Sequence, residues 1–530
     1  MELNKLTIKE ASERLARSEI TSVELTEAVF ERIEAVESKI GAYITLTKEL
    51  ALKQAKESDK RRKADKPLSE IDGIPISLKD VVLTKGIKTT AASKILDDFI
   101  PPYNATVYER LMSAGSVLTG KVNTDEFTMG SSTEASAYKT AKIPHPHPNP
   151  LPERERELRG TPSPIPMGEG RGEGISTTRN PWDLSRVPGG SSGGPAAAVA
   201  TDECLASVGT DTGGSIRQPA SFCSITGLKV SYGLVSRYGV VSYASSFDTV
   251  GPMAKSVEDI AIVLNKIAGN DPRDSTSVAH DLPDYLTSLN SKITGKKIGI
   301  PKEFYGESLD PEVASKLRDA EKVFEKLGAK MVPVSLPLTH YAIAAYYILV
   351  KSEASSNMSR YDGIRYGHSV LKNKKLDRRL SILDVYLESR SEGFGPEVKR
   401  SIMMGTHTLS SGYFDAYYRN AAKVRTCIKR EYERVFREVD VLLAPISPFP
   451  AFRLGEKIDD PLLMYLADVD TVPVNIAGIP ALSIPVGFTS NNLPVGLQLI
   501  GPMWGESTLL QVGHAFQQET DWHLKKPVIK

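Results

Sequence analysis

The sequence predicts an α/β protein built on a mostly parallel or mixed sheet, and two observations carry that reading. Short, nearly unbroken apolar runs read as buried strands, at 73–78 (GIPISL), 116–119, 297–300, 441–443 and 482–484. Helical stretches such as 311–327 and 416–439 fall between them, and strands alternating with helices are the pattern of α/β folds. The chain of 530 residues is long enough for a large core, with 40% apolar and 25% charged residues, ordinary values for a globular protein.

The elements follow in order. Residues 1–70 read as an N-terminal helical region. Thr7 to Glu10 (TIKE) and Thr21 to Glu24 (TSVE) are both capping boxes, in which each end satisfies an orphan backbone donor. Leu25, Val29 and Ile33 then recur at helical spacing, so this hairpin has an apolar face for its own core or for a partner, the core being the expected use. The run at 73–78 ends in Lys79-Asp80. The segment 141–176 departs in texture: its 36 residues hold eight of the chain's 34 prolines, five glycines and almost no aliphatic surface. Such a composition does not offset the entropy of ordering a backbone, so a disordered surface insertion is expected there. His145 and His147 lie within it without an acidic or cysteine partner at ligand spacing.

Composition excludes some function classes. The formal net charge is +1, so no global field draws the chain to nucleic acid or membrane. No run approaches the roughly 18 apolar residues of a membrane span, and MELNKLTIKEASERLARSEI carries no apolar core of signal-peptide length. Cys204, Cys223 and Cys427 are widely spaced and form no CxxC pair, which fits a reducing compartment and argues against a metal or redox site. The expected location is cytoplasmic, with an organellar one left open.

Chemistry concentrates in VPGGSSGG at 187–194, AAAVA at 196–200 and GTDTGGSIRQPA at 209–220. Glycine runs that end in serine let backbone N–H groups approach a ligand closely. Followed by a helix, they aim donors and a positive dipole end at one point, which suits a phosphate or an oxyanion. A phosphate loop would need GxxxxGK[ST], and no lysine follows these glycines. Residues 189–193 match GxSxG, the nucleophile elbow, but that fold needs an acid and then a histidine, and His280, His340, His368, His407, His514 and His523 have no suggestive setting. Asp211-Thr-Gly213 has the aspartic-protease triplet without a second copy. Simple tight turns are the remaining reading.

Taken with IPISLKD at 74–80, these motifs resemble the amidase signature family, nearly end to end apart from 141–176. The separation of 24 positions between Ser191 and Ser215 also matches that family. The resemblance implies a single domain over 1–530, with a large mixed β-sheet core flanked by helices on both faces. It implies a Ser-cisSer-Lys amidase in which Ser215 is the nucleophile, Ser191 relays the proton, and Lys79 is general base and then acid. It further implies a cis peptide before Ser191 and an oxyanion hole at the N–H groups around Thr212, Gly213 and Gly214. Those roles fit the chemistry. A serine hydroxyl needs an adjacent base, and a lysine serves only if burial lowers its pKa from about 10.4.

Further segments resemble the glutaminase branch of the tRNA-dependent amidotransferases: SEASSN at 352–357, RYDGIRYG at 360–367, EGFGPEVKR at 392–400, YFDAYY at 413–418 and DVDTVPVNIAG at 468–478. That resemblance implies a glutaminase for free glutamine, with Arg400 on the substrate carboxylate, Asp468 on its amino group, and Ser131 and Tyr346 as further contacts. A zwitterion calls for one fixed cation and one fixed anion, and arginine grips a carboxylate with two parallel hydrogen bonds. The implied assembly is a heterotrimer. Its B subunit uses ATP and Mg and amidates misacylated Glu-tRNA(Gln), its small C subunit wraps the glutaminase, and this chain itself holds no cofactor. The competing expectations are a free-standing amidase for another carboxamide and an inactive scaffold disabled by the insertion. In the family a stretch like 130–139 leads almost directly to one like 178–182, and here the 36 residues of 141–176 intervene. Closure entropy grows slowly with loop length, so a working site is compatible with them.

Overall fold

The computed structural model describes residues 2–138, 177–372, 379–458 and 460–529. The expectation of disorder at 141–176, with His145 and His147, falls outside the described residues.

The strands are β1 (Tyr43–Leu46), β2 (Pro75–Lys79), β3 (Val117–Val122), β4 (Ala206–Asp211), β5 (Thr226–Lys229), β6 (Thr249–Ala254), β7 (Lys297–Pro301), β8 (Lys330–Val334), β9 (Val441–Pro445), β10 (Ala481–Phe488) and β11 (Pro494–Ile500). They form an 11-stranded sheet in the order β1-β3-β2-β4-β6-β5-β10-β11-β9-β7-β8. The pairs β2–β3, β2–β4, β7–β8 and β7–β9 are parallel and the others antiparallel, so the sheet is mixed. Each apolar run read as a strand overlaps one, in β2, β3, β7, β9 and β10, with 73–78 starting two residues before β2 and 116–119 one residue before β3.

Side chains alternate across a strand, and in β9 Val441 and Leu443 join one buried core while Leu442 and Ala444 join another. The sheet is therefore covered on both faces. The first core takes the helices Ser22–Ile40, Val257–Ile267, Pro311–Lys326 and Glu506–Glu519; the second takes Ala342–Met358 and Asn420–Val435. The stretch expected to be helical over 416–439 begins with a π-helical turn, Asp415–Arg419, and its α-helix ends at Val435.

At the N-terminus both capping boxes form, Thr7 with Glu10 and Thr21 with Glu24. Gly41, at φ 68, ends the second helix in the left-handed region that favours glycine. Leu25, Val29 and Ile33 are buried in the first core, worth roughly 2 kcal/mol each. The hairpin face is thus core, and β1 follows it as an edge strand against β3. Among the described residues, no helix is long and apolar enough to cross a membrane.

Candidate active site

β2 runs between β3 and β4 with all its residues buried, and Lys79 is its last residue. The Lys79 side chain therefore leaves the sheet inside the protein. Its Nζ lies 2.7 Å from Ser191 Oγ, 2.9 Å from Ser192 Oγ and 2.9 Å from Thr210 Oγ1 on neighbouring β4. Burial pushes the lysine down to about 7, against the pull of Asp125, Asp211 and Asp248. Hydroxyls solvate the amine without fixing its charge, because among the described residues no carboxylate touches it. The Gly190–Ser191 peptide is cis, as the family resemblance implies. Glycine at 190 is required by space: a Cβ there would stand 2.3 Å from the Asp125 carboxylate. Asp125 accepts N–H bonds from Thr133 and Ala135, and burial raises its carboxyl to about 6.

The loop from Thr212 to Ser215 leaves the end of β4 and is fastened along its length. Thr212 Oγ1 donates to Asp248 Oδ1 at 2.7 Å, the Gly213 carbonyl accepts from Thr471 Oγ1 at 2.6 Å, and the Gly214 N–H donates to Asp211 Oδ1 at 2.9 Å. Asp211 is buried, which alone would raise its pKa, but the adjoining Arg217 guanidinium outweighs that and holds it at about 2. Tyr346 packs so closely on Gly213 that a Cβ there would meet its hydroxyl at 2.4 Å. The two serine loops are joined by the Ser192 N–H, which donates to the Ser215 carbonyl at 3.1 Å. Among the described residues, no hydrogen bond links the Ser191 and Ser215 hydroxyls. Such contacts commonly close only around a bound substrate.

Ser215 opens onto a cavity of about 840 Å³ that is also lined by Ser131, Gly213, Tyr346, Arg400 and Asp468. Residues 337 positions apart meet there, since Ser131 Oγ donates to Asp468 Oδ2. Burial pushes the Asp468 carboxyl up to about 8, against that hydrogen bond. Arg400, on the helix Pro396–Leu409, is ion-paired with Glu397 and keeps 40% of its side chain exposed. The residues expected from sequence to act therefore gather at one place. Lys79 and Ser191 support the serine loops, Thr212 and Gly214 flank the loop's cavity-facing part, and the others line the cavity.

The sequence reading missed Ser192, Thr210, Asp125, Asp248 and Thr471. Ser192 and Thr210 lie within the serine motifs themselves, in GGSSGG and GTDTGGS. Thr471 lies within DVDTVPVNIAG at 468–478, while Asp125 and Asp248 stand alone, and only the folded chain brings these three to the loops. Among the described residues, no group of three or more His, Cys, Asp and Glu is placed to hold a metal ion.

Residues 24–510 match the family model described as Amidase. The A subunit of the glutamyl-tRNA(Gln) amidotransferase from Geotalea daltonii is 49% identical over 529 residues, covering 100% of both chains. Its counterpart from Chloroflexus aurantiacus is 51% identical over 526 residues, covering 99% of both. The crystal structure of the corresponding glutamyl-tRNA(Gln) amidotransferase chain from Thermotoga maritima superposes with a TM-score of 0.76 at 36% identity, covering 100% of this chain and 99% of that one.

Proposed function

The chain belongs to the amidase family, and from that premise we propose that it is the glutaminase subunit of a glutamyl-tRNA(Gln) amidotransferase. The observation that carries the reading is the buried Lys79 amine, 2.7 Å from Ser191, beside a cavity where Ser215 shares the wall with Arg400 and Asp468.

In this reading Arg400 takes the glutamine carboxylate and Asp468 the amino group, with Ser131 and Tyr346 shaping the pocket between them. That orients the side-chain amide toward Ser215. Ser215 Oγ attacks the amide carbon as its proton passes through Ser191 to neutral Lys79. The developing oxyanion is held by the N–H groups of Thr212 and Gly213, while the Gly214 N–H holds the loop to Asp211. Lys79 returns the proton through Ser191 to the leaving nitrogen, so ammonia departs and an acyl-enzyme remains. Water, activated by the same base, then releases glutamate and regenerates Ser215. The pKa near 7 lets one group act as both base and acid at neutral pH.

The partner subunits, the misacylated tRNA, and the ATP and Mg of the amidation step belong to the rest of the assembly in this proposal. The released ammonia is what this chain contributes. The test is glutamate release by the chain with its B and C partners. Ser215→Ala should abolish release and acyl-enzyme trapping together, and turnover that survives in this variant would overturn the assignment.

A further inference from the structure

The cavity wall around Arg400 holds a second, buried cation. Lys351, on the helix Ala342–Met358, is 2% exposed, and its Nζ lies 2.6 Å from Glu397 Oε1 and 2.8 Å from Ser401 Oγ. It also sits over the rings of Tyr347 and Tyr465, 5.5 and 5.2 Å from their centroids. Those two rings stack at 3.9 Å, and the Tyr465 hydroxyl donates to Glu397 Oε1 at 3.1 Å. Glu397 is thus held from one side by Lys351 and from the other by Arg400.

Charge arithmetic gives this arrangement a consequence. An Arg400–Glu397 pair alone is neutral and would offer a substrate carboxylate little net attraction. With Lys351 included, the cluster carries one net positive charge, and Arg400 is its exposed member. The rest of the lining is rich in acids, with Asp125, Glu126, Glu134, Glu392 and Asp468 against Lys94, so the cluster is where a carboxylate finds a cation in excess.

We infer that Lys351 is a specificity-determining positioning residue. By neutralising Glu397, it lets Glu397 orient Arg400 without cancelling the charge that Arg400 presents to the substrate carboxylate. This inference rests on the glutamine reading above and names what makes the carboxylate subsite work. Burial lowers the Lys351 amine against the pull of the Glu397 carboxylate, and at Glu397 the two cations outweigh burial and keep the carboxylate ionised.

The test compares glutamine with 4-aminobutanamide, which keeps the amine and the amide but lacks the carboxylate, on the full chain with its partner subunits. In Lys351→Met the ratio of kcat/KM for glutamine to that for 4-aminobutanamide should fall about tenfold or more, chiefly through the KM for glutamine. The double variant Lys351→Met/Glu397→Gln restores one net positive charge and leaves no buried carboxylate unpaired, so it should recover most of that ratio. An unchanged ratio in Lys351→Met, an equal loss on both substrates, or a double variant no better than the single one would overturn the inference. If Lys351→Met does not fold, Lys351→Gln takes its place: a ratio about tenfold below that of the unaltered protein supports the inference, and an unchanged ratio overturns it. Arg400→Gln separates the two levels. If it leaves the ratio unchanged, the glutamine reading itself fails. If it lowers the ratio while Lys351→Met does not, only the role of Lys351 fails.

Discussion

Lys79 and Lys351 are both buried lysines to which the proposed reading gives a task, and their partners differ. Lys79 is met by the hydroxyls of Ser191, Ser192 and Thr210, whereas Lys351 is met by the Glu397 carboxylate and one hydroxyl. Burial penalises the charged form of both. Hydroxyls do not repay that penalty in full, so Lys79 falls to about 7 and can exchange a proton. Burial lowers Lys351 as well, but the carboxylate in contact pulls it back toward the cation, which suits the counter-ion role proposed for it. The neighbour, more than the depth, decides whether a buried lysine is a base or a counter-ion.

The comparison can be broken most severely at Lys79 itself. Lys79→Ala should slow acylation of Ser215 by about 10²–10⁴-fold, the usual worth of a general base, as read by single-turnover ammonia release. Thr210→Asp sharpens the contrast by giving Lys79 the kind of partner Lys351 has. It should hold the amine charged, cost at least about tenfold in turnover at pH 7, and move the alkaline rise in activity upward by more than about one pH unit. At the recognition end, Asp468→Asn should raise the KM for glutamine by about 10–100-fold, the range for a hydrogen bond to a charged group, and spare a small neutral amide. Because burial pushes Asp468 up to about 8 and only its ionised form pairs with an ammonium, the KM for glutamine should fall as pH rises from 6 toward 8, and this trend should flatten in Asp468→Asn. The smallest effect is expected at Thr471, whose hydroxyl ties the Gly213 carbonyl to the Asp468 backbone. Thr471→Val should cost about fivefold in kcat, near 1 kcal/mol, and Thr471→Ser should restore it.

How much is legible in the sequence follows the same physics. Runs such as the one ending at Lys79 stand out because a strand buried on both faces is apolar throughout. The less legible strands carry other signals. β8 contains Pro333, tolerated at the sheet edge where a missing N–H is harmless. β6 contains Pro252, one residue past the end of its pairing with β5 at Met253. β4 draws attention only for its catalytic-looking end, Gly209 to Asp211. The serine loops are legible because glycine is demanded there by close approach, at Gly190 and Gly213. Lys351 and Glu397 are not, since a lysine and a glutamate on two helices look like ordinary solvated charges until the helices Ala342–Met358 and Pro396–Leu409 pack together.

The most direct measurement is the pH dependence of kcat/KM with a small neutral amide, which takes Asp468 and Arg400 out of the profile. The account predicts a rise with increasing pH centred near 7, as buried Lys79 loses its proton, and the disappearance of that rise in Lys79→Ala. A rise centred near the ordinary lysine value of about 10, or one near 7 that persists without the lysine, would contradict it.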